Sequence, residues 1–226
     1  MRGRATSGVA RGSAAPGRVV LVCAVWAGVH SLLASKGAKD LFARAAGGRS
    51  RDGLYRLAYN AQSLVTVAWA ARRLARMPDR ELYRAEPPWS WLFRAGQVGS
   101  LGVLFSGVRV VGMLEFAGII PLREALTAEE SRPEPEAQGP PIGAGGEMET
   151  LGAFRFTRHP GNLGAMGFFL LWPRMTVNRA TLAALVALYV VLGSMHEERR
   201  LRMAYGEAFE RYRQKVPFLI PRPPDR

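Results

Sequence analysis

Residues 155–173 read RFTRHPGNLGAMGFFLLWP, and residues 196–221 read HEERRLRMAYGEAFERYRQKVPFLIP. These two stretches decide the fold. Pro160 stands where proline is favoured, in the first turn of a helix, and a helix start carries positive partial charge. Pro173 and Asn178 mark a turn, and an uncharged apolar run follows over 180–195. The pair reads as a helical hairpin. Its first arm, 163–172, covers only about 15 Å of a hydrocarbon core about 30 Å thick. That arm either starts further back, near Leu151–Phe156, or reaches part-way in. The return arm brings Glu197 and Glu198 to the end that holds Arg158 and His159. Gly161, Gly164 and Gly167 recur every third residue and leave a strip open to a backbone or a flat ligand.

Outward from the hairpin, the chain alternates apolar blocks with charged connectors. It has 226 residues, 48% of them hydrophobic, and a formal charge of +13. That apolar fraction excludes wholesale disorder. The single cysteine, Cys23, excludes a disulfide framework and any multi-cysteine metal or iron–sulfur site. Residues 19–35 hold no charge and are near the lower length limit for a spanning helix. They are not read as a cleaved signal peptide, because no small-x-small site precedes Lys36. Further blocks cover 54–71 and 91–120. The predicted architecture is an all-α, polytopic integral membrane bundle of about five transmembrane helices. It ends in the C-terminal hairpin and a cytosolic C-terminal helix.

Four regions follow. Residues 1–18 are a mobile basic tail, and 19–120 are N-terminal membrane helices. Residues 121–150 are an acidic Pro/Gly-rich loop, and 151–226 are the hairpin with its cytosolic helix. With the C-terminus inside, the inner connectors carry 17 Lys and Arg and the outer ones 11. This favours a bacterial cytoplasmic membrane with a cytosolic C-terminus. The basic excess is spread over block ends and forms no single stripe. It therefore points to a lipid bilayer as partner and not to nucleic acid.

Polar groups inside the blocks are the next candidates, because ionisable groups at membrane depth are costly unless paired or wetted. Arg56, Asn60 and Ser63 share one helical face. They either line a substrate cavity or act as interhelical hydrogen-bonding glue. His30 is either a hydrogen-bonded structural residue or a substrate-side group. No carboxylate spacing supports a metal site. Arg158, His159 and the helix start form an anion site, and the twin glutamates face it. A ligand with a carboxylate, an ammonium and a cationic centre suits such an interface, as does a plain set of interfacial ion pairs.

The pattern RHP-x-N-x-G, a hairpin, then EERRL-x-x-x-YG-x-x-F-x-x-Y-x-x-x-VP-x-x-IP resembles the membrane methyltransferase superfamily. That group includes isoprenylcysteine carboxyl methyltransferases and phospholipid methyltransferases. The resemblance covers 155–221. HSLLAS (30–35) with Lys36 and Lys39, and YRLAYN (55–60), are similar to the NnrU-like and methanethiol S-methyltransferase-like branch. The resemblance implies S-adenosyl-L-methionine as cofactor. It implies that Arg158 and His159 hold its carboxylate or orient its tail, with Pro160 and Asn162 adjacent and Gly164 allowing close approach. Glu197 and Glu198 would bind polar cofactor groups, and Tyr205 and Tyr212 would pack the cytosolic helix over the pocket. Arg158, His159 and Glu198 are the implied catalytic set. Asn162 stands where many relatives have tyrosine.

Two functions fit. One is an integral membrane methyltransferase acting on a small or lipid-linked thiol, with Arg56, Asn60 and His30 toward the acceptor. The alternative is a non-catalytic NnrU-like accessory protein supporting denitrification or respiration.

Overall fold

The computed structural model describes residues 14–128 and 139–221. Among these residues it has nine α-helices, one 3-10 turn and a two-stranded antiparallel sheet. The long rods are α1 (Pro16–Ala34), α3 (Gly48–Ala75), α4 (Trp89–Val111) and α8 (Val177–Tyr205). Shorter pieces are α2 (Lys36–Ala46), α5 (Met113–Ala117), α6 (Ile119–Thr127), α7 (Pro160–Leu170) and α9 (Glu207–Lys215). The strands are β1 (Glu81–Arg84) and β2 (Arg174–Thr176).

Local chemistry sets the boundaries. Pro16 opens α1 and Pro160 opens α7, where a missing N–H costs nothing. Ser35 caps α2 by accepting from the Ala38 N–H, and Thr176 caps α8 by accepting from the Arg179 N–H. The third apolar block is broken rather than continuous. Gly112 and Gly118 both have positive φ, a conformation that side chains resist. Gly118 is also pressed against α3: a Cβ there would lie 2.7 Å from the Leu57 nitrogen.

α7 and α8 form the expected hairpin. α7 begins at Pro160 rather than near Leu151–Phe156, so it is a short arm of 11 residues. The turn contains β2, which pairs with β1 in the register Glu81↔Thr176, Tyr83↔Met175 and Arg84↔Arg174. α4 lies along α7, with Gly107 against Pro160 at one end and Gly96 against Leu171 at the other. One end of the bundle gathers the start of α1, the sheet and the starts of α4 and α8: Ala15 donates to Asn178, and the Asn178 N–H donates to Asp79. The other end gathers the α2–α3 corner, α6, the Arg158 corner and α9.

The basic tail and the acidic loop fall partly outside the described residues, at 1–13 and 129–138. Where described, the tail is already helical from Pro16, and α6 carries the helix to Thr127 before the loop begins. After residue 138 an isolated bridge joins Ile142 and Met148.

α1 and α8 are long and apolar enough to cross a membrane. α3 and α4 have sufficient length, with 28 and 23 residues, but arginines and small polar residues lower their hydropathy. By that measure the described residues give two spans, not five. The spanning windows are only 11% and 22% buried, unlike the core helices of water-soluble proteins. Leu21, Leu64, Val98, Phe105 and Leu188 are all exposed on the rods. A soluble monomer rarely presents apolar surface on this scale. Among the described residues, a buried hydrophobic cluster of Met148, Leu201, Phe209, Tyr212 and Val216 lies where α9 folds back on α8.

Candidate functional site

The Arg158 corner and the twin glutamates meet. Arg158 Nε donates to Glu198 Oε1 at 2.6 Å. His159 Nε2 lies 3.2 Å from the same oxygen, and its Nδ1 lies 3.3 Å from Glu197 Oε2. Arg158, His159 and Glu198 are each at least nine-tenths buried. Glu197 is the open edge, with its side chain 27% exposed.

The geometry favours the imidazolium form of His159. Both ring nitrogens face carboxylate oxygens, which only accept, so both contacts are satisfied only by the imidazolium. Burial alone would lower the pKa of His159, but its hydrogen bonds to Glu197 and Glu198, and their charges, outweigh that and raise it. The four groups then form a balanced set of two cations and two anions. A buried cation with its counter-charge removed would be strongly unfavourable.

Residues 213–218 close the corner. The Arg158 N–H donates to Pro217 O at 3.0 Å, and Arg158 Nη1 donates to the carbonyls of Arg213 and Val216. The Phe218 ring stands edge-on to His159 at 5.3 Å and under the Arg158 guanidinium at 5.6 Å. Thr157, almost fully buried, accepts from the His159 N–H. These contacts tie 213–218 to the start of α7. Backbone carbonyls leave no mark in a sequence; only the VP-x-x-IP pattern hinted that this segment was constrained.

The other candidates make contacts within the helix bundle. Gly164 faces α4. A Cβ there would sit 2.4 Å from Ser100 O and 2.7 Å from Leu104 Cβ, so its missing side chain is used by α4. Gly167 meets Ser100 in the same way, so at Gly164 and Gly167 the glycine strip is a helix-packing surface, while Gly161 stays open. Pro160 is buried against Gly107. Asn162 donates to Ser194 Oγ at 2.7 Å, which ties α7 to α8. Tyr212 donates to Phe154 O at 2.9 Å from within the α9 core, and burial raises its pKa. Tyr205 packs at the edge of that core.

The acceptor-side candidates lie between other helices. His30 contacts the Tyr59 hydroxyl at 2.6 Å and Ser63 Oγ at 3.2 Å, and it stacks on Trp26. Asn60 donates to Phe116 O at 2.8 Å. Arg56 is buried beside Gly118. The described contacts of His30 and Asn60 are within α1 and with neighbouring helices, not with the Arg158 cluster. This is the hydrogen-bonding arrangement that joins membrane helices. Among the described residues there is no cluster of three or more metal-binding side chains.

Comparison with known proteins supplies relatives. The chain is 33% identical over 75 residues to a methanethiol S-methyltransferase of Crocosphaera subtropica, covering 33% of this chain and 29% of that protein. It is 27% identical over 119 residues to methanethiol S-methyltransferase 1 of Bradyrhizobium diazoefficiens, covering 53% of this chain and 38% of that protein. It is 30% identical over 76 residues to the enzyme of Pseudomonas deceptionensis, covering 34% and 29%. The matched segments thus span only about a third of those relatives' length. No family model and no solved structure matches the chain. Over these segments the chain is a distant homologue of methanethiol S-methyltransferases.

Proposed function

We propose that the chain is an integral membrane methyltransferase that uses S-adenosyl-L-methionine and methylates a small or lipid-linked thiol. The observation that carries this reading is the meeting of Arg158, His159, Glu197 and Glu198 at one end of the α7–α8 hairpin. The distant homology to thiol methyltransferases supports it.

The charged groups fit a zwitterionic cofactor. The partly open Glu197 carboxylate suits an ammonium. Arg158 spends Nε and Nη1 within the protein, and the Nη2 amine, outside those contacts, suits a carboxylate. S-adenosyl-L-methionine supplies, when bound, a methyl group on a cationic sulfur. The protein's own part is alignment and exclusion of water. A free thiol has a pKa of about 8.5, so a thiolate fraction forms by loss of its proton to water and no strong base is needed. The apolar outer faces of α1 and α8 support a position for this end of the hairpin at the lipid boundary, where a hydrophobic thiol would concentrate.

One observation favours the accessory-protein alternative: the Arg158 corner is internally satisfied and also serves to anchor residues 213–218. The two readings separate in one assay. Purified chain is reconstituted in vesicles with methyl-labelled S-adenosyl-L-methionine and either methanethiol or a long-chain alkanethiol. Label in a thioether supports the enzyme. No label with either thiol, from protein that floats with the vesicles, overturns it.

A further inference from the structure

A second charged feature lies at the opposite end of the bundle. From Val177 to Glu198, α8 rises about 32 Å, close to the hydrocarbon thickness of a bilayer at about 30 Å. The β1–β2 platform and the start of α4 are therefore one membrane thickness from the Arg158 cluster. Between them is a cavity of about 300 Å³ lined by Arg84, Glu86, Ser90, Arg94, Pro173 and Arg174 among others, at the small end of ligand-pocket sizes.

Its charge is unbalanced. Arg84 and Arg174 are paired directly across the sheet, an arrangement that repels unless countered. Glu81 counters both, accepting from Arg84 Nη2 at 3.1 Å and from Arg174 Nε. One carboxylate thus serves two guanidinium groups. Arg94 makes no ion pair among the described residues, and the first turn of α4 holds no acid to offset its dipole. The surrounding stretches 72–94 and 174–179 carry eight arginines against three acids. Beside the cavity, Trp89, Trp91 and Leu92 are exposed by 64%, 67% and 60%. Exposed tryptophans beside arginines are the signature of the headgroup level of a membrane.

We infer that this cavity binds the phosphate group of an anionic phospholipid, with Arg94 as its free cation and Trp89 and Trp91 seated at the adjoining headgroup level. The bidentate guanidinium suits phosphate oxygens, and the flanking indoles argue for a phosphate carried on a lipid. Of the proposed function, only the membrane placement is used here, and vesicle flotation of the wild-type protein reports that separately.

The test uses the full chain in detergent, offered equal phosphatidylglycerol and phosphatidylcholine, with retained lipid counted by native mass spectrometry. Wild type is expected to retain phosphatidylglycerol preferentially. Arg94→Gln should cut that preference about fivefold, as for one arginine at the headgroup level. Arg94→Lys should keep most of it, and Arg123→Gln, at the other end, all of it. Circular dichroism confirms that the variants are folded. Millimolar inorganic phosphate distinguishes the source: retention unaffected by it supports a lipid-borne phosphate, and displacement supports the same phosphate site with a free anion. Equal retention of the two lipids by wild type, or an unchanged preference in Arg94→Gln, overturns the inference.

Discussion

Replacing Glu198 with alanine removes the acceptor shared by Arg158 Nε at 2.6 Å and His159 Nε2 at 3.2 Å. Breaking a buried ion pair by deleting one partner costs about 3–5 kcal/mol. Two features reduce that here. Arg158 keeps its bonds to the Arg213 and Val216 carbonyls, and the Glu198 side chain is 12% exposed, which lets some water in. About 2–3 kcal/mol is then expected, or a fall in melting temperature of about 5–10 °C for a chain of this size. Glu197→Ala is the internal comparison. It removes one 3.3 Å contact from a side chain 27% exposed, so it should cost less than about 1 kcal/mol. Thermal unfolding of both variants in one detergent, followed by far-ultraviolet circular dichroism, gives the ratio. Equal shifts, or a Glu198→Ala loss below about 1 kcal/mol, would refute the view that Glu198 is the shared counter-ion of a buried pair.

Other outcomes follow from the same geometry. His159 has a raised pKa because Glu197 and Glu198 hold the imidazolium. Its contribution to stability is therefore full below the ordinary histidine value near about 6.5 and is lost as pH rises through the raised folded value. The melting temperature should fall across that window, and His159→Gln should flatten the slope; a slope that persists in the variant refutes the assignment. Gly164→Ala drives a Cβ into Ser100 and Leu104 and should cost about 1–3 kcal/mol by overpacking. Gly161→Ala, with nothing within 4 Å, should be neutral or stabilising in the same melts. Tyr212→Phe deletes a buried bond to Phe154 O and should cost about 1–2 kcal/mol, since it leaves a carbonyl unsatisfied. Chemical denaturation of that variant checks the value.

The hairpin and its charged corner were legible because each depends on local side-chain signals. Pro160 opens a helix, Pro173 and Asn178 bracket a turn, and an uncharged run leads back to Glu197 and Glu198. Where one helix starts and its antiparallel partner ends, the two motifs must meet. The function of the glycine strip was not legible. Gly164 and Gly167 are equally suited to a ligand and to a helix, and only the placement of Ser100, more than sixty residues earlier in the chain, decides. The carbonyls of Arg213 and Val216 that bind Arg158 have no side-chain signature at all. The β1–β2 pairing was hidden in short charged connectors. Glu81 makes it possible by neutralising the cross-strand arginines, a role visible only once Arg84 and Arg174 are opposite each other. Most of α6 falls within 121–150, whose Pro/Gly-rich composition reads as loop, although 121–127 are helical.

The most direct test is calorimetric titration of the purified full chain with S-adenosyl-L-methionine and, separately, with its demethylated product. The expected result is saturable binding of both ligands by wild type, lost in Glu198→Ala protein that remains helical at the assay temperature. Wild-type protein that is folded and inserted in vesicles yet releases no binding heat with either ligand, at any temperature tried, would contradict the methyltransferase account.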